Sequence, residues 1–561
     1  MTDSGMQPRL GSEYLYDALI DANIDVLIGL PGTQTLPLDR IVDQRDAMQY
    51  IMSRHETAVP HIAWGYYEAS RKPAATITVP GPGDTNAMHG LKNALEDCVP
   101  LVHISPHFHP DERGKGPIHE IEPNTFDNVL KENINVRDPL TLQTKIRKAI
   151  QTATTPPYGP VRLGIPSSML DTEFWAPPAT VSVEQPVVDN EEAYQQATTE
   201  LSQAERPVVY IGGGGRRSEE SPAAIKQLVE ELNAPVVSTF KGKGIFPEDH
   251  PNFMGITGSM LPNGARKVLE DADVVAAFGT DFDGPATANW ELPMGTFLVH
   301  VNLSNDDMNQ AYEADLPIVD DAGAAAQRLY DGVSRRTTET WDGAEIGTAV
   351  REEYRRELSE AGLFNGNTPI NTPEAMTIIR EELPSETTVA VDVGGFRLWS
   401  LETFEAYEPE QFICAGSWGG MGVGLPAAIG AKLATPDAPV ACLTGDGGLI
   451  MCIHELHTAA ELGLDIVVLV FNNNDYGVIS KSLVDRQEDD ERRFTWETPD
   501  FEMIAKGFGC RTSEVRTVDE LHDTVSRAIE RQEGPELIDV YVDGDEPSAV
   551  NAASYESTID I

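Results

Sequence analysis

Short apolar runs alternate along this chain with longer amphipathic stretches, and each run ends in a Gly- or Pro-rich turn. The first part carries DVLIGL, AATITV, PLVHIS and PVRLGI, interleaved with helical patterns such as SEYLYDALIDANI. The middle part repeats the arrangement with RPVVYIG, APVVST, DVVAAFG and FLVHVNL. The last part does so with TTVAVDVG, PVACLTG, IVVLVFN and PELIDVYVDG. Strands alternating with helices imply mostly parallel sheets. The pattern predicts an α/β protein of three doubly wound parallel-sheet domains, over 1–175, 191–333 and 368–545. The Pro-rich stretch 176–190 reads as a linker, and a charged segment joins the second domain to the third. The tail, DEPSAVNAASYESTIDI, is polar, and its pattern does not choose between disorder and folding over a site. The first and third parts share a style, but no sequence repeat marks them as duplicates.

One segment carries chemistry. Gly445-Asp446-Gly447 closes an apolar run, and Asn472-Asn473 closes the next one after a 24-residue gap. This is a strand–turn–helix–strand unit with hard oxygen ligands at both strand ends, suited to holding Mg²⁺ together with a diphosphate. Asp446 brings a carboxylate, Asn473 an amide oxygen, and the main chain near Asp475 a third oxygen. Gly447 and Gly448 have no side chain, so a diphosphate can approach the backbone and the helix N-terminus. The competing reading is an ordinary α/β turn capped by Asp and Asn. The Gly212-Gly213-Gly214-Gly215 turn lacks GxGxxG spacing and an acidic partner, so it reads as a tight turn rather than a dinucleotide site.

The Gly-Asp-Gly…Asn-Asn segment resembles the thiamine diphosphate (ThDP) fingerprint of the acetolactate synthase and pyruvate decarboxylase superfamily. Two further stretches are similar to acetolactate synthases. SRHETAVPHIAWGYYEASRKPAATITVPGPGDTNAMHGLKNALEDCVPLVHIS resembles their pyrimidine-binding domain, and AGSWGGMGVGLPAAIGAKLA resembles a run of their diphosphate-binding domain. The resemblance places Glu56 on the acid that activates the cofactor and Met421 on the apolar wedge between its rings. Taken alone, Glu56 is a helix N-terminal carboxylate, and Met421 a packing residue. His55 reads as a packing neighbour and Asn86 as a helix cap. Main chain at Gly420 and Met421 is expected to meet the pyrimidine. Gly394, Gly395, Phe396, Gly445, Gly447, Gly448, Tyr476 and Gly477 are expected to meet the rest of the cofactor. Gly395-Phe396-Arg397 departs from the polar run of the family, and Arg397 is a candidate phosphate partner. The metal set is Asp446, Asn473 and Asp475. In the family the activating Glu and the metal motif come from different subunits. A homodimer or homotetramer with the site at its interface is therefore expected, and a small regulatory subunit is a candidate partner.

The reaction is less sharply drawn. The middle domain has Phe282-Asp283-Gly284 where synthases place an Arg after Phe-Asp-Asp, and Lys481-Ser482 stands where they carry Gln-Trp. Those departures leave both the 2-oxo acid substrate and FAD open. His107, His109 and His119 lie in SPHFHPDERGKGPIHE. They are candidates for proton transfer, with His107 and His119 the tentative substrate residues, against the alternative of a surface loop. Three readings follow: an acetolactate synthase-like carboligase, a ThDP-dependent 2-oxo acid decarboxylase or lyase, and a catalytically silent ThDP-fold binding subunit.

Charge narrows the setting. The net charge is −49, with 90 acidic residues against 41 basic ones. Such a surface repels nucleic acid and anionic membranes. No run of about 18 apolar residues predicts a transmembrane helix. The N-terminus has no signal pattern. The five Cys show no CxxC pair and mostly sit in apolar runs, which suggests reduced thiols and a cytoplasmic protein. The acid is spread along the whole chain. It reads either as an ordinary solvated surface or, preferably, as adaptation to a high-salt cytoplasm where screening removes self-repulsion. The Debye length grows from about 3 Å at 1 M salt to about 10 Å at 0.1 M. Dilution from molar KCl to 0.1 M is therefore expected to lower the melting temperature and dissolve tertiary structure, read by near-UV circular dichroism; a melting temperature independent of KCl refutes it.

Overall fold

The apolar runs become strands, and the amphipathic stretches become the helices that cover them. The computed structural model describes residues 7–177, 179–181, 191–333, 341–487, 494–531 and 533–549. Positions 182–190 of the expected linker and 550–561 of the tail lie outside the described residues. What is described of the tail folds inward: the Glu546 carboxylate accepts the Thr372 N–H at 2.6 Å, and Ala549 is buried.

In the N-terminal domain β1 (Gln7–Leu10) pairs antiparallel with β8 (Glu173–Ala176). The main sheet holds β2 (Val26–Gly29), β3 (Gln49–Met52), β4 (Ala74–Ile77), β5 (Leu101–His107), β6 (Glu132–Asn135) and β7 (Pro160–Pro166), in the order β3-β2-β4-β5-β7-β6. The central domain holds β9 (Pro207–Ile211), β10 (Val236–Ser238), β11 (Phe253–Ile256), β12 (Val274–Phe278), β13 (Phe297–Asn302) and β14 (Leu316–Val319), in the order β11-β10-β9-β12-β13-β14. The C-terminal domain holds β15 (Thr388–Val391), β16 (Phe412–Cys414), β17 (Val440–Gly445), β18 (Ile466–Asn472), β19 (Arg511–Val515) and β20 (Glu536–Tyr541), in the order β16-β15-β17-β18-β20-β19. Every pairing within these three sheets is parallel. The first and third sheets have the same strand order, a kinship that side-chain identity did not reveal. The central sheet instead follows the 3-2-1-4-5-6 order of dinucleotide-binding folds.

The C-terminal sheet feeds two cores. Ala390, Cys442, Val468 and Val470 join a buried cluster with the N-terminal domain, including Ile62, Ala63 and Leu91. Their neighbours Val389, Leu443, Leu469 and Phe471 join a cluster with the central domain. Alternate residues of one strand point to opposite faces, so a run such as IVVLVF is apolar throughout because both faces are covered. The helix Ala58–Ser70 meets the helix Gly424–Ala434 through glycine. A Cβ on Gly65 would stand 2.2 Å from the Ala427 carbonyl oxygen, and one on Gly430 2.0 Å from that of Ile62. The two backbones touch, and no larger residue fits either position.

A buried charge cluster closes the junction of all three domains. Glu68, only 1% exposed, pairs with Arg217 at 2.9 Å and lies near Arg216 and Lys241, each at 3.7 Å. Lys241 also pairs with Asp97 at 3.0 Å, and Asp97 accepts the Trp64 indole N–H and the Gly416 amide. Burial alone would raise the Glu68 carboxyl, but Arg217, Lys241 and Arg216 overcome it and hold the group well below the usual carboxylate range. Its stabilising contribution is therefore present above the ordinary value of 4.5 and is lost as pH falls toward the folded value. Glu68→Gln strands buried arginines and is expected to cost about 3–5 kcal/mol. Thermal melts at pH 7 should show that loss, with less acid sensitivity below pH ~4.5 than the parent. A variant melting like the parent at every pH refutes this.

Candidate active site

Parallel α/β sheets bind ligands beyond the carboxyl ends of their strands, where neighbouring chains leave in opposite directions. In the C-terminal sheet that point lies between β15 and β17, and the C-terminal-domain residues Gly394, Gly395, Gly445, Asp446, Gly447 and Gly448 lie at these strand ends. Gly445 on β17 pairs with Phe471 on β18, so Asp446 and Asn472 leave their strands side by side. Asp446 then opens the helix Asp446–Cys452.

Asp446 is buried, at 3% exposure. Its Oδ1 accepts the Gly447 N–H at 2.8 Å, while Oδ2 is sealed from water with no hydrogen-bond partner. Burial pushes this carboxyl up to about 6, helped by Asp539 and Asp475 and opposed by main-chain N–H groups. A buried carboxylate oxygen without a donor suits a cation. Asn472 turns inward to Asp539, at 3.1 Å. Asn473 therefore remains as the amide that faces outward, and its Oδ1 accepts the Asp475 N–H at 3.1 Å. Asp475 is itself buried and takes the Ser480 hydroxyl. Asp446, Asn473 and Asp475, the metal set expected from the sequence, thus lie at two adjacent strand ends. Among the described residues, no cluster of three His, Cys, Asp or Glu is placed to hold a metal ion.

The glycines let other side chains pack close beside this set. A Cβ on Gly447 would stand 2.8 Å from the Tyr476 ring, and one on Gly448 2.8 Å from Asp392 Oδ2. Tyr476 stacks on Trp496 at 6.1 Å and 17°. Gly394 and Gly395 open the helix Gly395–Thr403 in the turn after β15. Gly477 opens the helix Gly477–Gln487. Phe396 faces elsewhere: its ring stacks on Phe471 at 5.3 Å inside the core, so only its main chain remains to a ligand. Arg397 also turns away, donating to the Ala415 carbonyl and lying over the Phe240 ring at 5.2 Å. The guanidinium is committed to the central-domain junction and does not act as the expected phosphate partner.

Asp392 organises the loop that carries Gly420 and Met421. Fully buried, it accepts N–H groups of Val393, Gly422 and Val423 and the Thr444 hydroxyl. Burial raises its carboxyl despite these donors. Gly422 sits at φ 79°, a left-handed conformation that glycine takes freely. Met421 lines a cavity of ≈ 340 Å³ with Met451, Thr57, Ala58, His89 and His454. His89 accepts the Trp418 indole N–H at Nδ1, 2.9 Å away. Indole nitrogen only donates, so His89 Nδ1 is the acceptor and Nε2 carries any proton of the neutral ring. Nε2 faces the Met421 carbonyl at 3.5 Å. A Cβ on Gly420 would enter the His89 ring.

Glu56 lies just before the helix Ala58–Ser70. Its Oε2 accepts the Asn86 amide at 3.1 Å, so Asn86 is a partner of Glu56 rather than a helix cap. The preceding residues are held from the other domain. The buried Glu455 carboxylate accepts the Ser53 hydroxyl and the Arg54 and His55 N–H groups. Sequence reading missed Glu455, His89 and Asp392 as organisers, because each acts through a residue hundreds of positions or a whole loop away.

The histidine loop returns to the same edge. A Cβ on Gly83 would lie 3.5 Å from Glu56 Oε1, and one on Gly81 2.8 Å from the His119 carbonyl. His119 Nδ1 stands 3.4 Å from the Gln34 amide. His107 ends β5; burial pushes its imidazole down to about 4, so the ring is neutral. Nδ1 donates to the Phe108 carbonyl at 2.7 Å, and Nε2, sealed from water, has no hydrogen-bond partner. His109 instead caps a short turn at the surface.

The comparisons with known proteins agree with this geometry in every domain. Residues 9–128 match the thiamine pyrophosphate enzyme N-terminal TPP binding domain, 194–329 its central domain, and 392–540 its C-terminal TPP binding domain. The chain is 29% identical over 554 residues to a probable acetolactate synthase large subunit of Methanocaldococcus jannaschii, covering 95% of this chain and 92% of that one. It is 28% identical to the acetolactate synthase large subunit of Lactococcus lactis, covering 96% and 93%. It is 27% identical to the acetolactate synthase isozyme 1 large subunit of Escherichia coli, covering 97% and 96%. Three matched domains, in order and over most of the chain, make it a member of the thiamine pyrophosphate enzymes.

Proposed function

We propose that this enzyme uses ThDP and Mg²⁺ to join decarboxylated pyruvate to a second 2-oxo acid, the activity named in its relatives. The observation that carries the reading is the buried Asp446 carboxylate, with one oxygen unsatisfied beside Asn473 and Asp475. Those three residues would hold the metal, and the glycines beside them would admit the diphosphate. When bound, ThDP supplies a carbon nucleophile that adds to a 2-oxo acid and accepts the electrons released with CO₂. Glu56 holds and returns the activating proton, with Asn86 fixing its orientation at Oε2. Met421 and its Asp392-anchored loop shape the floor of the site. His107 and His119 stand as the candidate substrate-side residues, His107 with a buried, neutral ring.

The central domain fits FAD poorly. Its strand-end cavity is lined by Asp281, Asp283, Asp307 and Glu96, while Arg217 and Lys241 are committed to Glu68 and Asp97. Burial and Asp283 push Asp281 up to about 6. Gly212 and Gly214 bond to Phe278 and Gly279, so that turn serves backbone packing. No step here uses a flavin. Exposed Trp418, Met451, Val478 and Ile479 flank the Met421 and Tyr476 loops. That apolar rim supports a second copy covering the site, and hence a homodimer or a dimer of dimers. A small regulatory subunit accords with the large-subunit names of the relatives. Among the described residues no helix is long and apolar enough to cross a membrane.

The decisive assay incubates the protein in molar KCl with Mg²⁺, ThDP and a panel of 2-oxo acids, with products read by NMR. Acetolactate from pyruvate is expected; aldehyde alone would replace the ligase reading with a decarboxylase. Glu56→Gln should lower turnover by about 10²–10⁴-fold while ThDP still binds by calorimetry, and undiminished turnover sinks the mechanism. The elevated Asp446 carboxyl gives a pH signature. Below pH about 6 a proton competes with the metal. The apparent Mg²⁺ affinity should therefore fall up to roughly tenfold per pH unit on further acidification. A pH-independent affinity between 5 and 7 would remove Asp446 from the metal set.

A further inference from the structure

Residues 53–57 join β3 to the helix Ala58–Ser70, and Glu56 is carried on this turn. Its chain neighbours are tied down on both sides. After it, the Thr57 N–H donates to His55 Nδ1 at 3.2 Å, and the Thr57 hydroxyl donates to the Asn86 carbonyl at 3.1 Å. Asn86 also holds the Glu56 carboxyl itself, at Oε2. Before it, the restraint comes from the C-terminal domain.

That restraint is centred on Glu455, which is 0% exposed and opens the helix Glu455–Glu461. Its Oε1 accepts the Ser53 hydroxyl and the Arg54 N–H, each at 2.9 Å, and the His55 N–H at 3.2 Å. Its Oε2 accepts the Thr458 hydroxyl at 2.6 Å, which fixes the carboxylate plane from within its own helix. His454 Nε2 stands 3.4 Å from Oε1. The same helix grips the Arg54 side chain: Nε donates to His457 Nδ1 at 2.8 Å, and the guanidinium pairs with Glu461 at 2.6 Å.

A carboxylate this deeply buried must be matched by donors. A contact that only fastened two domains could draw those donors from any side chains along the junction. Glu455 draws them from consecutive residues that end at His55, so it sets the path of the backbone into Glu56. Hydrogen bonds to an ionised acceptor are roughly twice as strong as neutral ones. The helix Glu455–Glu461 in turn follows the helix that Asp446 opens, and His454 lines the cavity that Thr57 and Met421 also line.

We propose that Glu455 is a positioning residue for Glu56: it fixes the backbone from which the activating carboxyl projects, while Asn86 fixes the carboxyl. The inference rests on the reading of Glu56 given above. Its size follows from geometry, since a displacement of about 1 Å can cost on the order of 10²-fold in rate.

The test compares Glu455→Leu, which keeps bulk and removes both oxygens, with Glu455→Gln, which keeps an acceptor in place of Oε1. Amide hydrogen exchange over 53–57 is measured in the cofactor-free protein. ThDP affinity is measured by calorimetry in molar KCl with Mg²⁺, and exchange of the thiazolium C2 proton of bound ThDP into D₂O by NMR. Glu455→Leu should speed the amide exchange and slow the C2 exchange by about tenfold or more, with ThDP affinity near that of the parent. Glu455→Gln should restore both rates. If Glu455→Leu does not fold, Ser53→Ala removes one donor and leaves Glu455 in place, and should slow C2 exchange by about threefold. Parental C2 exchange in the variant that folds overturns the proposal. So does a Gln variant as slow as the Leu variant, or a ThDP affinity that falls as far as the exchange rate, the mark of a fastening alone. Glu56→Gln separates the two readings. Parental C2 exchange in that variant removes Glu56 as the activating acid and this proposal with it; slow exchange there beside parental exchange in Glu455→Leu removes only the role of Glu455.

Discussion

The three domains meet on one buried charge cluster built around Glu68 and Asp97. Glu68 is tolerable inside the protein only because Arg217, Lys241 and Arg216 surround it. Those cations belong to the central domain, and Glu68 belongs to the helix that begins just after Glu56. Asp97, on the same network, ends the helix that starts at the Gly81 turn and also receives the Gly416 amide, where the Met421 loop begins. Solvating one charge therefore orients three parts of the active site. The glycine contact between the helices Ala58–Ser70 and Gly424–Ala434 supplies the distance constraint that complements it.

Two buried aspartates show how a site is distinguished from its scaffold. Asp392 and Asp446 both follow central strands of the same sheet, and burial raises both carboxyls. Asp392 is saturated by three N–H groups and a hydroxyl, so it binds its own loops together. Asp446 is left with an oxygen facing no donor. Hydrogen-bond satisfaction, more than burial or charge, separates a structural acid from a candidate metal ligand.

Much of the fold was legible in the chain. Apolar runs of five to seven residues such as PVVYI and IVVLVFN are strands because both faces of a parallel sheet are covered. The Gly-Asp-Gly and Asn-Asn turns stand side by side because adjacent parallel strands end at the same level. Directions of long side chains were less legible. Phe396 and Arg397 sit in the loop expected to meet the diphosphate, yet the ring stacks on Phe471 and the guanidinium reaches Ala415. Nothing local distinguishes these rotamers; the neighbouring strand and domain select them. His107 reads as a loop residue in sequence and proves to be the last residue of a buried strand.

The sequence alone determined the α/β class, the three domains and the cofactor motif, because periodicity and glycine placement act over a few residues and leave a local trace. Tertiary structure decided the shared strand order of the outer domains, which depends on strand adjacency and not on side-chain identity. It also decided which carboxylates are satisfied and which are not. Asp446, Asp392, Glu68 and Glu455 are all acidic letters in the chain. Only the donors brought to them by distant segments make one a candidate metal ligand and the other three the fastenings of the fold.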